Sequence, residues 1–351
     1  MEAKIFLQEL SDAVGVSGYE RKISRQVAEE FKKYTDSIKY DSLGNLISLQ
    51  KGFQSSGELT VMLAAHMDEI GLMVTKIEDG GFLKFTAVGG VDPRTLVGQE
   101  VSVHGKESLN GVVGAKPPHI QSADERKKAY KMEDMYIDLG LSEKEIKETI
   151  RVGDVISIKR RFTELKNNRV TGKSLDDRAG VLMVLETLKH LKKLKHQVDV
   201  YGVATVQEEV GVRGAITSTY GIVPDIGIAI DVCHATMPGV SKEDAAELGK
   251  GPALGFGPHV HPKIFKKLKE IAKELDIPYQ VDPSNTPAGT DAYAIQVTRS
   301  GIATALLSIP LRYMHTSVET VSLDDIKRGA RLLAHFIAEI NADFVEGLRC
   351  F

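Results

Sequence analysis

Apolar and polar positions follow two rhythms along this chain, one helical and one strand-like. Over 4–14, Ile5, Phe6, Leu10 and Val14 gather near one face, and over 20–34, Ile23, Val27 and Phe31 recur at i, i+4 and i+8. Gly15-Val16-Ser17-Gly18 reads as the turn between these two helices. Strand-like runs follow at 46–49 and 59–65. The second is apolar throughout, which predicts a central strand covered on both faces. From Gly71 to about 162 the apolar runs are short and separated by turn glycines, at 82–88, 100–103, 111–115 and 154–159. That spacing predicts a small barrel or sandwich. One polar helix interrupts it at 142–150, where Ser142 and Glu145 make a capping box.

From 169 onward helices and apolar strands alternate: helix 176–193, strands 198–206 and 226–230, helix 263–275, strand 302–309 and helix 323–344. Ser322 is the expected N-cap of the last, with Asp325 in its first turn. The order implies one α/β domain, residues 1–70 and 165–351, split by an all-β insertion at 71–164.

Composition narrows the function classes. The 351 residues are 42% hydrophobic and 26% charged, with a formal net charge of −3. A general nucleic-acid binder usually carries a basic excess, so that partner is disfavoured. No apolar stretch approaches the ~18 residues of a membrane span. Cys233 and Cys350 make no disulfide framework, and Cys233 reads as a core thiol. A cytoplasmic location is expected.

Chemistry-bearing residues stand where the strands end. Glu208 and Glu209 follow the strand at 198–206, His66 and Asp68 the one at 59–65, Asp231 the one at 226–230, and His315 the one at 302–309. Asp176 and Asp177 open a helix. Each alone has a plain structural explanation: Asp176 as an N-cap, Asp231 as a turn residue, the glutamates as a solvated turn. Together His66, Asp176, Glu209, Asp231 and His315 offer two imidazoles and three carboxylates. If one carboxylate bridges, each of two divalent ions receives one His, one terminal carboxylate and half of the bridge. Glu208, held beside a ligand, is then placed as general base. Asp68 could accept the second imidazole N–H of His66 and fix its tautomer. No His-Glu-x-x-His, Gly-x-Ser-x-Gly or Walker-type loop occurs.

At these residues the sequence closely resembles the M42 metallo-aminopeptidases, a group of tetrahedral, glutamyl and deblocking aminopeptidases with some members labelled endoglucanase. The matching segments are Ala65-His66-Met67-Asp68-Glu69-Ile70-Gly71, Lys173-Ser174-Leu175-Asp176-Asp177-Arg178-Ala179-Gly180 and Gln207-Glu208-Glu209-Val210-Gly211. Ala229-Ile230-Asp231-Val232, Gly289-Thr290-Asp291-Ala292 and Arg312-Tyr313-Met314-His315-Thr316 complete the set. Thr316 stands where many relatives have Ser.

The resemblance implies His66 and Asp231 on one metal, Glu209 and His315 on the second, and Asp176 bridging them. Glu208 would be the base, Asp68 would orient His66, and the Asp176–Asp177 peptide would be cis. It implies a zinc-peptidase-like α/β/α sandwich with a barrel-like dimerisation insertion. It also implies zinc or cobalt, peptide substrates, and dimers that build a twelve-subunit tetrahedral particle. His119 would approach a neighbouring active site.

Rival readings are a two-metal amidase or deacylase on small N-acyl compounds, an endoglucanase, and a scaffold with a structural metal. The chain has no Trp and only 6% aromatics, which argues against a polysaccharide cleft. Specificity is expected from loops at 251–261, 286–290 and 309–313, and Arg312 could suit an acidic side chain.

Overall fold

The computed structural model describes residues 2–53, 57–284 and 289–349. Thr60–His66 lies in the middle of a large mixed sheet, parallel to Asp199–Thr205 on one side and Ile226–His234 on the other. Ala303–Arg312 continues the parallel core beyond Ile226–His234. Side chains alternate across a strand, yet Val61 through His66 are all buried, so both faces of Thr60–His66 are covered. Leu175–Leu191 packs against these parallel strands and carries Leu323–Glu339 beside it, while Arg213–Ile222 and Asp291–Gln296 form a second helical group.

The inserted region closes a six-stranded antiparallel barrel from Gly71–Ile77, Phe82–Val88, Glu100–His104, Ser108–Ala115, Met135–Asp138 and Val155–Ile158. Leu72, Leu83, Val101, Val103, Ile137 and Ile156 fill it, apart from the main core. Thr163–Leu165 already belongs to the large sheet, paired with Arg169–Gly172. The expected capping box is present: Ser142 and Glu145 exchange hydrogen bonds at the start of Glu143–Thr149.

Several local expectations differ. The helix expected over 323–344 stops at Glu339, because Ile340 is extended and the Asn341 side chain caps a separate helix, Ala342–Glu346. Ser322 makes no side-chain cap. Asp325 instead accepts the backbone N–H groups of Gly249 and Gly251 at 2.7 Å. Asp176 and Asp177 do not begin a regular helix, since both depart from helical φ/ψ, but the peptide between them is cis as the resemblance implies.

Candidate active site

Thr205 pairs with His66 in register, so Glu208 and Glu209 emerge beside His66 at the carboxyl end of the parallel strands. Asp231 lies near the same edge on Ile226–His234, and His315 follows Ala303–Arg312. This edge is where open α/β sheets bind ligands. Asp176 enters from the cis turn before Leu175–Leu191 and meets both imidazoles. His66 Nε2 lies 3.1 Å from Asp176 Oδ1, and His315 Nε2 lies 3.5 Å from Asp176 Oδ2. Glu209 Oε2 is 3.4 Å from His315 Nε2, and Glu208 Oε2 is 3.9 Å from His66 Nε2.

Two sets of donor atoms therefore each lie within 4.8 Å: His66, Asp176 and Asp231, and Asp176, Glu209 and His315. Asp176 is common to both. Ser174, Gln207 and His315 all have left-handed backbone, with φ near +55°, so strain concentrates next to these side chains.

The electrostatics fit cations here. Burial, reinforced by neighbouring carboxylates, pushes Glu208 up to about 10, Glu209 to about 8 and Asp231 to about 7. For His66 burial opposes the charge, but Asp176, Glu208 and Asp68 outweigh it and raise its pKa well above the ordinary value. Several buried carboxylates crowded around two imidazoles are costly without further positive charge. The mixed imidazole and carboxylate donors suit zinc-like divalent ions.

Supporting groups hold this arrangement. The Asp68 carboxylate receives Ser17 Oγ–H at 2.6 Å, Glu208 N–H at 3.0 Å and Glu209 N–H at 3.2 Å. His66 Nδ1 lies 3.2 Å from the backbone carbonyl of Asp68 and 3.6 Å from its carboxylate. Asp68 thus faces His66 mainly through its backbone, while its side chain fixes the two glutamates. Glu319, buried, accepts the backbone N–H of Asp176 at 3.1 Å and of His315 at 3.0 Å.

Below them Glu69 receives Gly15 N–H at 2.9 Å, pairs with Lys173 at 2.5 Å and lies 3.3 Å from Arg178. Arg178 is fully buried and also donates to the carbonyls of Leu10, Ala13 and Met67. The barrel contributes as well: the Gly90 carbonyl lies 3.1 Å from His315 Nδ1.

The site opens into a cavity of about 830 Å³. Cys233, read from sequence as a core thiol, lines it, and so does His259. Arg312 is not among its lining residues; its Nε donates to the Thr236 carbonyl at 2.7 Å. Of the loops expected to set specificity, 251–261 contributes His259 and 286–290 contributes Gly289 and Thr290. Residues 286–288, like Cys350, lie outside the described residues. Ser17, Gly90, Glu319 and His259 carried no sequence signal beyond a turn, a glycine pair, an isolated acid and an isolated His.

An α/β sheet that presents two imidazoles and a group of carboxylates around one cavity defines a metallohydrolase-like site. Residues 44–332 match the M42 glutamyl aminopeptidase family, and the chain belongs to that family, a family of metal-dependent peptidases. It is 38% identical to a lysyl aminopeptidase of Pyrococcus furiosus over 95% of this chain and 96% of the relative. An aminopeptidase from the archaeon Desulfurococcus kamchatkensis superposes with a TM-score of 0.91 at 40% identity, covering 99% and 98% of the two chains. The Pyrococcus horikoshii TET1 peptidase, which can assemble into a tetrahedron or a large octahedral shell, matches at TM-score 0.85 and 34% identity over 97% and 100%. The chain is thus a peptidase of the aminopeptidase type. Among the described residues no helix is long and apolar enough to cross a membrane.

Proposed function

We propose that this chain removes the N-terminal residue of peptides with two divalent metal ions, zinc or cobalt, and with Glu208 as general base. The observation that carries this reading is the carboxylate Asp176 shared between two donor sets. His66 and Asp231 would hold one ion, Glu209 and His315 the other, with Asp176 between them. When bound, such ions acidify a water and polarise the scissile carbonyl.

The remaining work falls to the chain's own side chains. Glu208 removes a proton from the attacking water and returns it to the departing amine. Its position supports this: its backbone N–H is fixed by Asp68, and its carboxylate lies 3.9 Å from His66 Nε2. The backbone contacts of Asp68 and Glu319 keep the donors from drifting.

The cavity argues against a glucanase, since none of its described lining residues is Trp, Tyr or Phe. The inserted domain, 71–164, is the proposed dimerisation domain. Assembly into dimers and a tetrahedral dodecamer is supported by the shells formed by the Pyrococcus horikoshii relative.

The test is release of free amino acids from short peptides by chelated protein and by protein with zinc or cobalt restored. N-acetylated peptides and carboxymethylcellulose serve as controls. Metal-dependent release from free N-termini alone is expected. Turnover of the acetylated compounds instead would favour an amidase or deacylase. Light scattering on the purified protein checks the assembly.

A further inference from the structure

The cavity continues sideways from the candidate metal donors along the sheet. Cys233 lies two residues beyond Asp231 on the same strand and so projects from the same face. Ser308 is paired with Asp231 on the neighbouring strand, and Ala253 is paired with Ser308 one strand further out. Asp282 lies on Gln280–Pro283, the next strand. Cys233, Ser308, Asp282 and His259 all line the same space.

This wall carries polar atoms that the fold leaves unused. His259 is 3% exposed, and neither ring nitrogen has a partner among the described residues. Ser308 is 1% exposed with Oγ equally unpartnered. Asp282 is half-buried near the imidazoles of His234 and His259, and it accepts no hydrogen bond among the described residues. Buried polar groups in native proteins are normally satisfied, so several unused ones on one cavity wall point to a ligand.

We propose that Asp282, His259 and Ser308 form the pocket for the side chain of a peptide's first residue, and that this pocket selects a cationic side chain, lysine or arginine. The inference rests on the aminopeptidase reading above. Three features favour a cation. Asp282 and Asp244 bring two carboxylates to the wall, and no Lys or Arg lines the cavity among the described residues. Burial holds His259 below its ordinary pKa, so its neutral ring offers an acceptor nitrogen. A lysine ammonium or arginine guanidinium has only donors, matching a carboxylate, a hydroxyl oxygen and an imidazole lone pair. A glutamate would face two like charges. A leucine would leave the buried polar atoms unpartnered, which a site built for hydrogen bonding rejects strongly.

The experiment uses the full chain, loaded with zinc or cobalt, on tripeptides that differ only in a first residue of Lys, Arg, Leu or Glu. The expected kcat/KM for Lys and Arg exceeds that for Leu and Glu by about tenfold or more, the discrimination of one charge-assisted contact. Asp282→Asn should lower the Lys-to-Leu ratio by about tenfold, with Asp282→Glu recovering part of it. His259→Gln gives an independent reading on the same ratio. A wild-type preference for Leu or Glu, or an Asp282→Asn protein with an unchanged ratio, overturns the proposal. Release from no free N-terminus with either metal is a different result: the aminopeptidase reading itself then fails and takes the pocket with it.

Discussion

The Gly90 carbonyl lies 3.1 Å from Nδ1 of His315, so a loop of the inserted barrel orients a candidate metal donor of the α/β domain. A Cβ at Gly90 would stand 2.6 Å from His315 Nδ1 and 2.9 Å from Cε1. Gly90→Ala is therefore expected to turn the imidazole away while leaving both cores intact. Peptide turnover should fall by about 10- to 100-fold, the usual cost of disturbing a ligand's orientation. A folded variant with undiminished turnover would show that His315 tolerates the shift.

Glu208→Gln keeps the volume of the proposed base and removes its proton chemistry. Turnover should drop by about 10²–10⁴-fold. Metal content, read by elemental analysis after dialysis, should stay at the wild-type level. Loss of metal together with activity would reassign Glu208 as a ligand.

Glu319 accepts the backbone N–H groups of Asp176 and His315 from a buried position, and so acts on two donors at once. Glu319→Gln retains one acceptor oxygen and replaces the other with an amide donor. Metal affinity should weaken by about 10- to 100-fold in a competition titration with a chelating dye. Excess metal should restore much of the activity, which a general loss of folding would not allow.

Metal removal should make stability depend on pH in a definite direction. Burial raises Glu209 to about 8 and Asp231 to about 7, so the folded apo-protein binds protons more tightly than the unfolded chain. Folding is then favoured at low pH, and stability is lost as pH rises from the ordinary carboxylate range through about 8. Melting temperatures at pH 5, 7 and 9 should fall steadily for chelated protein. Bound cations keep the carboxylates ionised, so the metal-loaded protein should be flatter over the same span. An apo-protein that becomes more stable with rising pH would contradict the sign.

Arg178 is buried with no exposed surface, pairs with Glu69 and donates to three carbonyls. Arg178→Met removes one of the two cations paired with Glu69 and one donor each from the carbonyls of Leu10, Ala13 and Met67, although Ala13 still receives Lys173 Nζ. Removing one partner of a buried pair costs about 3–5 kcal/mol. Denaturant unfolding should show a loss of that size, whereas Lys4→Ala, which breaks an exposed pair with Glu164, should leave the unfolding midpoint nearly unchanged.

What the sequence disclosed followed strong local rules. A continuous apolar run ending in His66 gives both a buried strand and a ligand-type residue at its end, whereas Asp231, expected just past its strand, stands inside one that runs on to His234. The shift at Gly71 to short runs and turn glycines gave the barrel. Less visible were features decided by tertiary contact. Arg213–Ile222 is rich in Gly, Ser and Thr, weak helix formers, and folds as a helix because it packs on the sheet and on Asp291–Gln296. Glu319 is an isolated acid in a short strand, and only the approach of Asp176 and His315 gives it a role. His259 drew no attention in the sequence, which carries no record of unused ring nitrogens. Asp68 lay where the pattern placed it, yet its carboxylate turned toward Glu208 and Glu209, since two backbone N–H groups compete well against one imidazole.

The donors of the candidate site are gathered from residues 66 through 315, with Glu319 bracing two of them from just beyond. No half of this span contains a complete donor set. A growing chain on the ribosome, or a fragment cut before His315, therefore carries the sheet's pieces without the second candidate donor set. On the proposed reading, the protein would gain its activity only after its own core has closed, and so would spare the free ends of neighbouring nascent chains until then.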